Sequence, residues 1–144
     1  MTSQNYANHR QFVPMYHYVL FGILVLTLGG SITNLYLAWG DHTRFYSAAL
    51  IAVLTFATLM VFFFCRIFSL KAQDRAIRAE ENLRHFSLTG KLLDPKLTVR
   101  QTIGLRFAPD DEFIALARRA AAENLSEDDI KKAVKNWKAD TYRV

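Results

Sequence analysis

The chain has 144 residues, a formal net charge of +5 and a hydrophobic content of 51%. About 45 residues can lie in lipid, and about 80 of the others follow the last apolar stretch, so the length excludes more than one small domain beyond a membrane. The single cysteine, Cys65, excludes an internal disulfide, and we expect it to be a small buried or lipid-facing side chain.

Two long apolar stretches dominate the first half of the chain. Between Gln11 and Cys65 the only formally charged side chains are Asp41 and Arg44. As a helix, the stretch from Phe45 to Cys65 is about 30 Å long, which matches the hydrocarbon core of a bilayer. The stretch from Tyr18 to Trp39 is of similar length. The sequence therefore predicts an all-α membrane protein with a two-helix transmembrane hairpin in residues 15–65, its spans at about 15–39 and 45–65.

The basic residues indicate the orientation of the hairpin. One lies in the N-terminal tail, one in the connecting loop and sixteen after the second span. Because Lys and Arg accumulate on the cytoplasmic side, we expect both termini in the cytoplasm, with residues 1–14 as an N-terminal cytoplasmic tail. The basic residues nearest the membrane are candidates for contact with anionic lipid headgroups: Arg66, Lys71, Arg75 and Arg78.

The second span is predicted to continue into the cytoplasm. Neither glycine nor proline lies between Asp41 and Thr89, so one helix can run from Phe45 to about Phe86. Residues 66–90 then form a basic juxtamembrane helix that ends at Gly90. Acidic and basic side chains four residues apart are expected to pair along it: Asp74 with Arg78, Glu80 with Arg84, and Glu81 with His85.

Helix-start signals divide residues 91–144 into a small module of about three short helices. Thr98 with Gln101 forms a capping box, and Ser126 with Asp129 gives a similar signal. The predicted helices run from Thr98 to Phe107, from Pro109 to Glu123 and from Ser126 to about Asp140. Because the module is small for independent stability, we expect it to pack on the juxtamembrane helix, the bilayer surface or another protein.

Three segments carry a resemblance to a known family: Gln4–Arg10, Lys71–Asn82 and Asp140–Arg143. They are similar to segments of a family of small bacterial two-span membrane proteins that is catalogued as a domain of unknown function, and the resemblance covers the whole chain. It implies a bacterial cytoplasmic (inner) membrane, but it brings no activity and no site residues. The N-terminal segment could be a disordered tail or an element that folds back on the basic helix, and the resemblance favours the second.

Small and polar side chains in the spans are candidates for helix packing or for contact with another subunit. Small residues let helices approach closely in lipid. An unpaired amide is costly there, so Asn34 is expected to bond to the second helix, with Ser47 as a candidate, or to a partner. The candidates are Gly22, Gly29, Thr33 and Asn34 in the first span and Ala48, Ala52 and Thr55 in the second.

No catalytic, cofactor-binding or metal-binding pattern accompanies the hairpin. Glu81 and His85 share a helical face, but a metal site needs three or four ligands, and an ion pair explains the spacing. The last helix could imitate a DNA-recognition helix, yet its carboxylates at residues 127–129 would face phosphates. We therefore expect no enzyme activity, no cofactor, no metal and no nucleic-acid partner.

Two classes of function remain. The first is a non-catalytic accessory or scaffold subunit of a membrane complex, whose partners are membrane lipids and either other membrane protein subunits or further copies of itself. The alternative is a protomer of an oligomeric transporter or channel, with Thr33, Asn34, Ser47 and Thr55 lining a path. Two spans alone cannot enclose a pathway, so the alternative requires an oligomer.

Overall fold

The computed structural model describes residues 4–9 and 11–140, which form helices and connections without a strand. A π-helix at Met15–Leu20 leads into α1 (Phe21–Leu37), followed by α2 (His42–Thr89), α3 (Val99–Leu105), α4 (Asp110–Glu123) and α5 (Glu127–Ala133). Of the segments that carry the family resemblance, Arg10 and residues 141–143 lie outside the described residues.

The chain forms two compact units. The hairpin unit is Gln11–Ser69, and the other joins Met1–Arg10 to Leu70–Val144. We call the second the terminal unit, because both ends of the chain contribute to it; its described residues are 4–9 and 70–140. This grouping differs from the predicted domains, which separated the N-terminal tail, the juxtamembrane helix and the C-terminal module.

The hairpin unit packs through side chains spaced alternately three and four residues apart. This spacing keeps one side of each helix facing its neighbour, as in an antiparallel coiled coil. The buried and half-buried residues of this seam are Leu24, Leu28, Ser31 and Leu35 on α1, Ala38 directly after it, and Phe45, Ala48, Ala52, Thr55, Leu59 and Phe62 on α2.

Local chemistry explains both ends of the hairpin. In the connection between α1 and α2, Gly40 has a positive φ of 94°, which favours glycine. The Asp41 carboxylate then accepts hydrogen bonds from the backbone N–H groups of Thr43 and Arg44 and so caps α2. At the other end, the π-helix places Tyr16 parallel to the ring of Phe62, with centroids 4.3 Å apart.

Helix α2 runs without a break over 48 residues. The predicted continuous helix from Phe45 to about Phe86 is therefore confirmed, and it extends slightly further in both directions. Gly90 ends it with a φ of 72°, and its N–H bonds to the carbonyl of Phe86 at 2.7 Å. This is the αL termination that glycine permits without a side-chain clash.

The terminal unit has an apolar core between α3, α4 and α5. The capping box at the start of α3 is present: the Thr98 hydroxyl accepts from the Gln101 N–H, and the Gln101 side chain accepts from the Thr98 N–H. The core residues come from all three helices and their connections: Leu93, Leu97, Leu105, Ala108, Phe113, Leu116, Ala117, Ala120, Ile130 and Val134.

The last helix is shorter than predicted. It ends at Ala133, because Val134 has extended dihedral angles, so the predicted continuation to about Asp140 is wrong. The Glu112 carboxylate accepts hydrogen bonds from the backbone N–H groups of Lys135 and Asn136. The Lys138 N–H bonds to the carbonyl of Phe107 at 2.8 Å. These bonds to α4 and to the connection between α3 and α4 replace the helical ones.

Gly104 of α3 lies directly against α5. A Cβ placed on it would lie 3.0 Å from the carbonyl oxygen of Glu127 and 3.1 Å from Cγ2 of Ile130. We expect Gly104→Ala to lower the free energy of unfolding by about 1 to 3 kcal/mol, the usual cost of overpacking. Gly29→Ala is the matched control, since nothing lies within 4 Å of its Cβ position. Equal thermal stability of the two variants would contradict this packing.

Candidate interaction surfaces

The small residues predicted for packing in the first span lie mostly outside the hairpin seam. Gly22 is half-buried, whereas Gly29, Thr33 and Asn34 are exposed. A Cβ at Gly22 or Gly29 would meet nothing within 4 Å. Of the two roles expected for these residues, packing within the hairpin is therefore corrected for Gly29, Thr33 and Asn34, and contact with another subunit stays a prediction. The seam uses Leu and Ser side chains of α1 and leaves Gly29 and Thr33 uncovered.

Helix α2 differs from α1 in this respect. Ala48 and Thr55 are buried and Ala52 is half-buried, and all three belong to the seam. Thr55 directs its hydroxyl to the carbonyl of Ile51 at 2.8 Å, so its polar group is satisfied within α2. These residues let α1 approach α2, and the space is filled from the α1 side by larger side chains.

The expected hydrogen bond between Asn34 and Ser47 is absent. Ser47 donates to the carbonyl of Arg44 instead, at 3.0 Å. The Asn34 side chain is exposed, and its amide has no hydrogen-bond partner in residues 4–9 and 11–140. Thr33, its neighbour, donates to the carbonyl of Gly29 at 3.0 Å. Asn34 is thus a polar group of α1 that the hairpin leaves unsatisfied. It lies one turn after Gly30 and on a different side of the helix from Gly29.

The four basic candidates for lipid contact lie on α2. Lys71 and Arg75 are exposed, and Arg66 and Arg78 are half-buried. None of the four forms an ion pair within the described part of the chain, so the pairing predicted between Asp74 and Arg78 is absent there. Their positive charges are not neutralised by neighbouring carboxylates of the described chain.

Arg84 connects α2 to the rest of the terminal unit. Its guanidinium donates to the Glu81 carboxylate at 3.1 Å, to the Asp110 carboxylate at 2.7 Å and to the carbonyl of Ala108 at 2.8 Å. The same group lies 4.3 Å from the ring centroid of Phe113. The predicted ion pair between Glu80 and Arg84 does not form within the described residues. Arg84 pairs with Glu81 instead, because Glu81 lies on the side of α2 that contacts the rest of the terminal unit.

Glu81 is a buried carboxylate in this network. It is 7% exposed, and burial raises its pKa, while the positive charge and hydrogen bond of Arg84 oppose this shift. The predicted pair with His85 does not form, because His85 bonds through Nδ1 to the carbonyl of Lys91 at 2.6 Å. Within the described ranges, no three His, Cys, Asp or Glu side chains are grouped so that they could hold a metal ion.

The N-terminal segment is folded and packs on the far end of the chain. The Gln4 side chain accepts a hydrogen bond from the Asp140 N–H at 2.7 Å. The His9 ring lies 5.8 Å from the rings of both Phe107 and Trp137, measured between centroids. The segment therefore folds back, but onto these C-terminal aromatics rather than along the basic helix. The sequence signal for this packing is the presence of Tyr6 and His9 in an otherwise polar segment.

Comparison with curated proteins and comparison with solved structures each find no match. A comparison with protein-family models gives one over the whole chain, residues 1–144, described as a family of unknown function. This agrees with the resemblance carried by the N-terminal, juxtamembrane and C-terminal segments. The chain belongs to the family of unknown function DUF6526.

Proposed function

We propose that this protein is a non-catalytic accessory or scaffold subunit of a membrane complex, anchored by its hairpin unit. The observation that carries the proposal is the exposed apolar surface of the two long helices. Met15–Leu37 and His42–Thr89 are long and apolar enough to cross a membrane, and in each the most apolar window is only 11% buried. A core helix of a soluble protein passes the same length and composition test, but it is mostly buried.

The setting of the proposal is the bacterial cytoplasmic membrane, with both termini in the cytoplasm. The excess of Lys and Arg after the second span supports this orientation. Arg66, Lys71, Arg75 and Arg78 follow the span without neutralising partners in the described residues, so they are available to anionic headgroups. Each such contact contributes about 1 kcal/mol near the surface.

A partner within the membrane is supported by Gly30 and Asn34 of α1, which lie one helical turn apart on the same side of the helix. Asn34 has an exposed amide without a hydrogen-bond partner in the described chain. Gly30 is also exposed, and it leaves room for another backbone because nothing lies within 4 Å of its Cβ position. In lipid an unsatisfied amide is costly, and small residues allow a helix to approach close enough to satisfy it. The same two features also fit the alternative function, in which Thr33 and Asn34 line a path in an oligomeric transporter or channel.

Native mass spectrometry after purification in mild detergent tests the proposal. A stoichiometric second protein, lost in Asn34→Leu and retained in the matched exposed variant Ile32→Leu, is the expected result. A closed ring of several copies without another protein would support the transporter or channel instead. If the wild type and Ile32→Leu were both monomers without a bound protein, the accessory function would be overturned.

A reporter that is active only in the cytoplasm tests the topology. It should be active when fused after Val144 and inactive when inserted at His42. The reverse pattern would overturn the proposed orientation, and activity at both positions would overturn the membrane hairpin itself.

A further inference from the structure

Helix α2 carries an exposed apolar row in its terminal-unit part; Ala76 of this row also lines a groove with Lys138 and Asp140, but it stays exposed there. The row has the repeating spacing of four and three residues that keeps one side of a helix facing a neighbour. Its two large members, Leu83 and Phe86, are 65% and 51% exposed. We call the row the α2 stripe; it consists of Ala72, Ala76, Ala79, Leu83 and Phe86, all of which are exposed.

The stripe lies on a different side of α2 from the contacts with the rest of the terminal unit. Ile77 and Glu81 are buried, and Arg84 bonds to Asp110 and Ala108. On a helix of 3.6 residues per turn, these three positions lie about 100 to 160° from Leu83. The described terminal unit thus packs on one side of α2 and leaves the stripe open to a second occupant.

Charged residues flank the stripe in a pattern that specifies this occupant. In a parallel two-stranded coiled coil, a residue at heptad position g faces the residue at position e five places later on the partner. With Ala76 and Leu83 at a, and Ala79 and Phe86 at d, Arg75 falls at g and Glu80 at e. Neither residue has an ion-pair partner in the described part of the chain. Two copies would form two symmetric Arg75–Glu80 pairs.

We propose that the α2 stripe is a dimerisation surface, on which a second copy of this chain packs in parallel. The parallel arrangement rests on the membrane anchoring in the proposed function, since two copies with one topology present their α2 helices in the same direction. Three alanines allow close approach but bury little area, so the stripe alone would hold a dimer weakly. Anchoring both chains in one membrane raises their effective concentration, which offsets that weakness.

Disulfide cross-linking in native membranes tests the proposal. In a Cys65→Ser background, Ala79→Cys and Leu83→Cys should each give a species of twice the chain mass on mild oxidation, because facing a and d positions lie within disulfide distance in a coiled coil. Leu88→Cys is the matched control, being 42% exposed and on the other side of α2. Equal cross-linking of all three variants, or of none, would overturn the dimer.

Exchange of the flanking charges tests the identity of the partner. Arg75→Glu and Glu80→Arg should each weaken Leu83→Cys cross-linking roughly tenfold, because two attractive pairs become repulsive. The double variant should restore it. Such restoration requires that both residues come from copies of the same chain, so failure to restore it would overturn the proposal.

The outcomes separate this inference from the proposed function. If Leu83→Cys cross-links only to a different polypeptide, the dimer is overturned while the accessory function gains support. If the chain is extracted from membranes by alkaline carbonate, the anchoring fails, and the parallel dimer that rests on it is overturned with it. A double-mass species with the control negative supports the dimer whether or not another protein is also bound.

Discussion

Replacing Phe107 with alanine is expected to lower the free energy of unfolding of the terminal unit by about 3 to 5 kcal/mol, the usual cost of deleting a buried aromatic ring. The Phe107 side chain is fully buried. The Trp137 ring centroid lies 4.7 Å away, the Arg106 guanidinium 4.6 Å and the His9 ring 5.8 Å. The alanine would leave all three above a void. Thermal unfolding of the full chain in detergent, followed by circular dichroism, measures the effect.

Leu92→Ala is the control for this prediction. Leu92 belongs to the same unit but is 65% exposed, so its truncation should change stability by no more than about 0.5 kcal/mol. Equal unfolding temperatures of the two variants would contradict the structure, in which Phe107 joins the N-terminal segment to the C-terminal residues. A further consequence is specific to that junction: the Phe107 variant should expose residues 4–9 to proteolysis before the core helices.

The helix boundaries that the sequence predicted well are those set by local chemistry. Gly90 ends α2 because only a residue without a Cβ adopts its positive φ readily, and this requirement is visible in the sequence. The Thr98–Gln101 box opens α3 through bonds made within four residues. Ser126 likewise accepts from the Asp129 N–H at the start of α5. Such signals do not depend on what the rest of the chain does.

The end of α5 depends on the rest of the chain and could not be predicted. The residues after Ala133 continue a helical apolar pattern, and nothing local stops them. What stops them is the Glu112 carboxylate, which lies on α4 and bonds to the N–H groups of Lys135 and Asn136. Trp137 then packs on Phe107 instead of extending a helical stripe. A bond between residues more than twenty positions apart leaves no trace in local periodicity.

The side of α1 that packs in the hairpin was also not predictable from pattern. In water, apolar periodicity marks the packed side of a helix, but in a lipid-facing helix both sides are apolar and the contrast disappears. The positions of small residues are then the remaining signal in the sequence, and they predict that Gly29 and Thr33 face the second helix. The structure packs α1 through Leu24, Leu28 and Ser31. A run of leucines gives no means of distinguishing those at the seam from those on the exposed sides of α1.

Arg84→Met is expected to destabilise the terminal unit by about 3 kcal/mol, because it leaves the buried Glu81 carboxylate without its cation. Arg84 donates to Glu81 at 3.1 Å, and Glu81 is 7% exposed. The bond to Asp110 contributes little to this loss, since that side chain is 66% exposed and well solvated. The carbonyl of Ala108 also loses a donor. Chemical denaturation at neutral pH measures the loss, and Arg119→Met, at an exposed pair with Glu123, is the matched control.

The double variant Glu81→Gln with Arg84→Met should recover most of the lost stability, because a neutral amide is cheaper to bury unpaired than a carboxylate. The pH dependence gives an independent readout. Burial raises the pKa of Glu81 above its ordinary value of 4.5, so the folded state holds this proton more tightly than the unfolded state. The stabilising contribution of the protonated group is therefore complete below 4.5 and is lost as the pH rises through the raised pKa.

Removing Arg84 eliminates the main influence that opposes this rise in pKa. Acidification from neutral pH should therefore stabilise Arg84→Met more steeply than the wild type, and the double variant should lose the difference. Hydrogen bonds lower the pKa values of Glu112 and Asp129, so these two residues make the protein less stable on acidification. Both residues are present in every variant, and their contribution therefore cancels when the pH profiles are compared. A parallel pH profile in wild type and Arg84→Met would show that Arg84 does not influence the pKa of Glu81, and would contradict the stabilising pair between the two side chains.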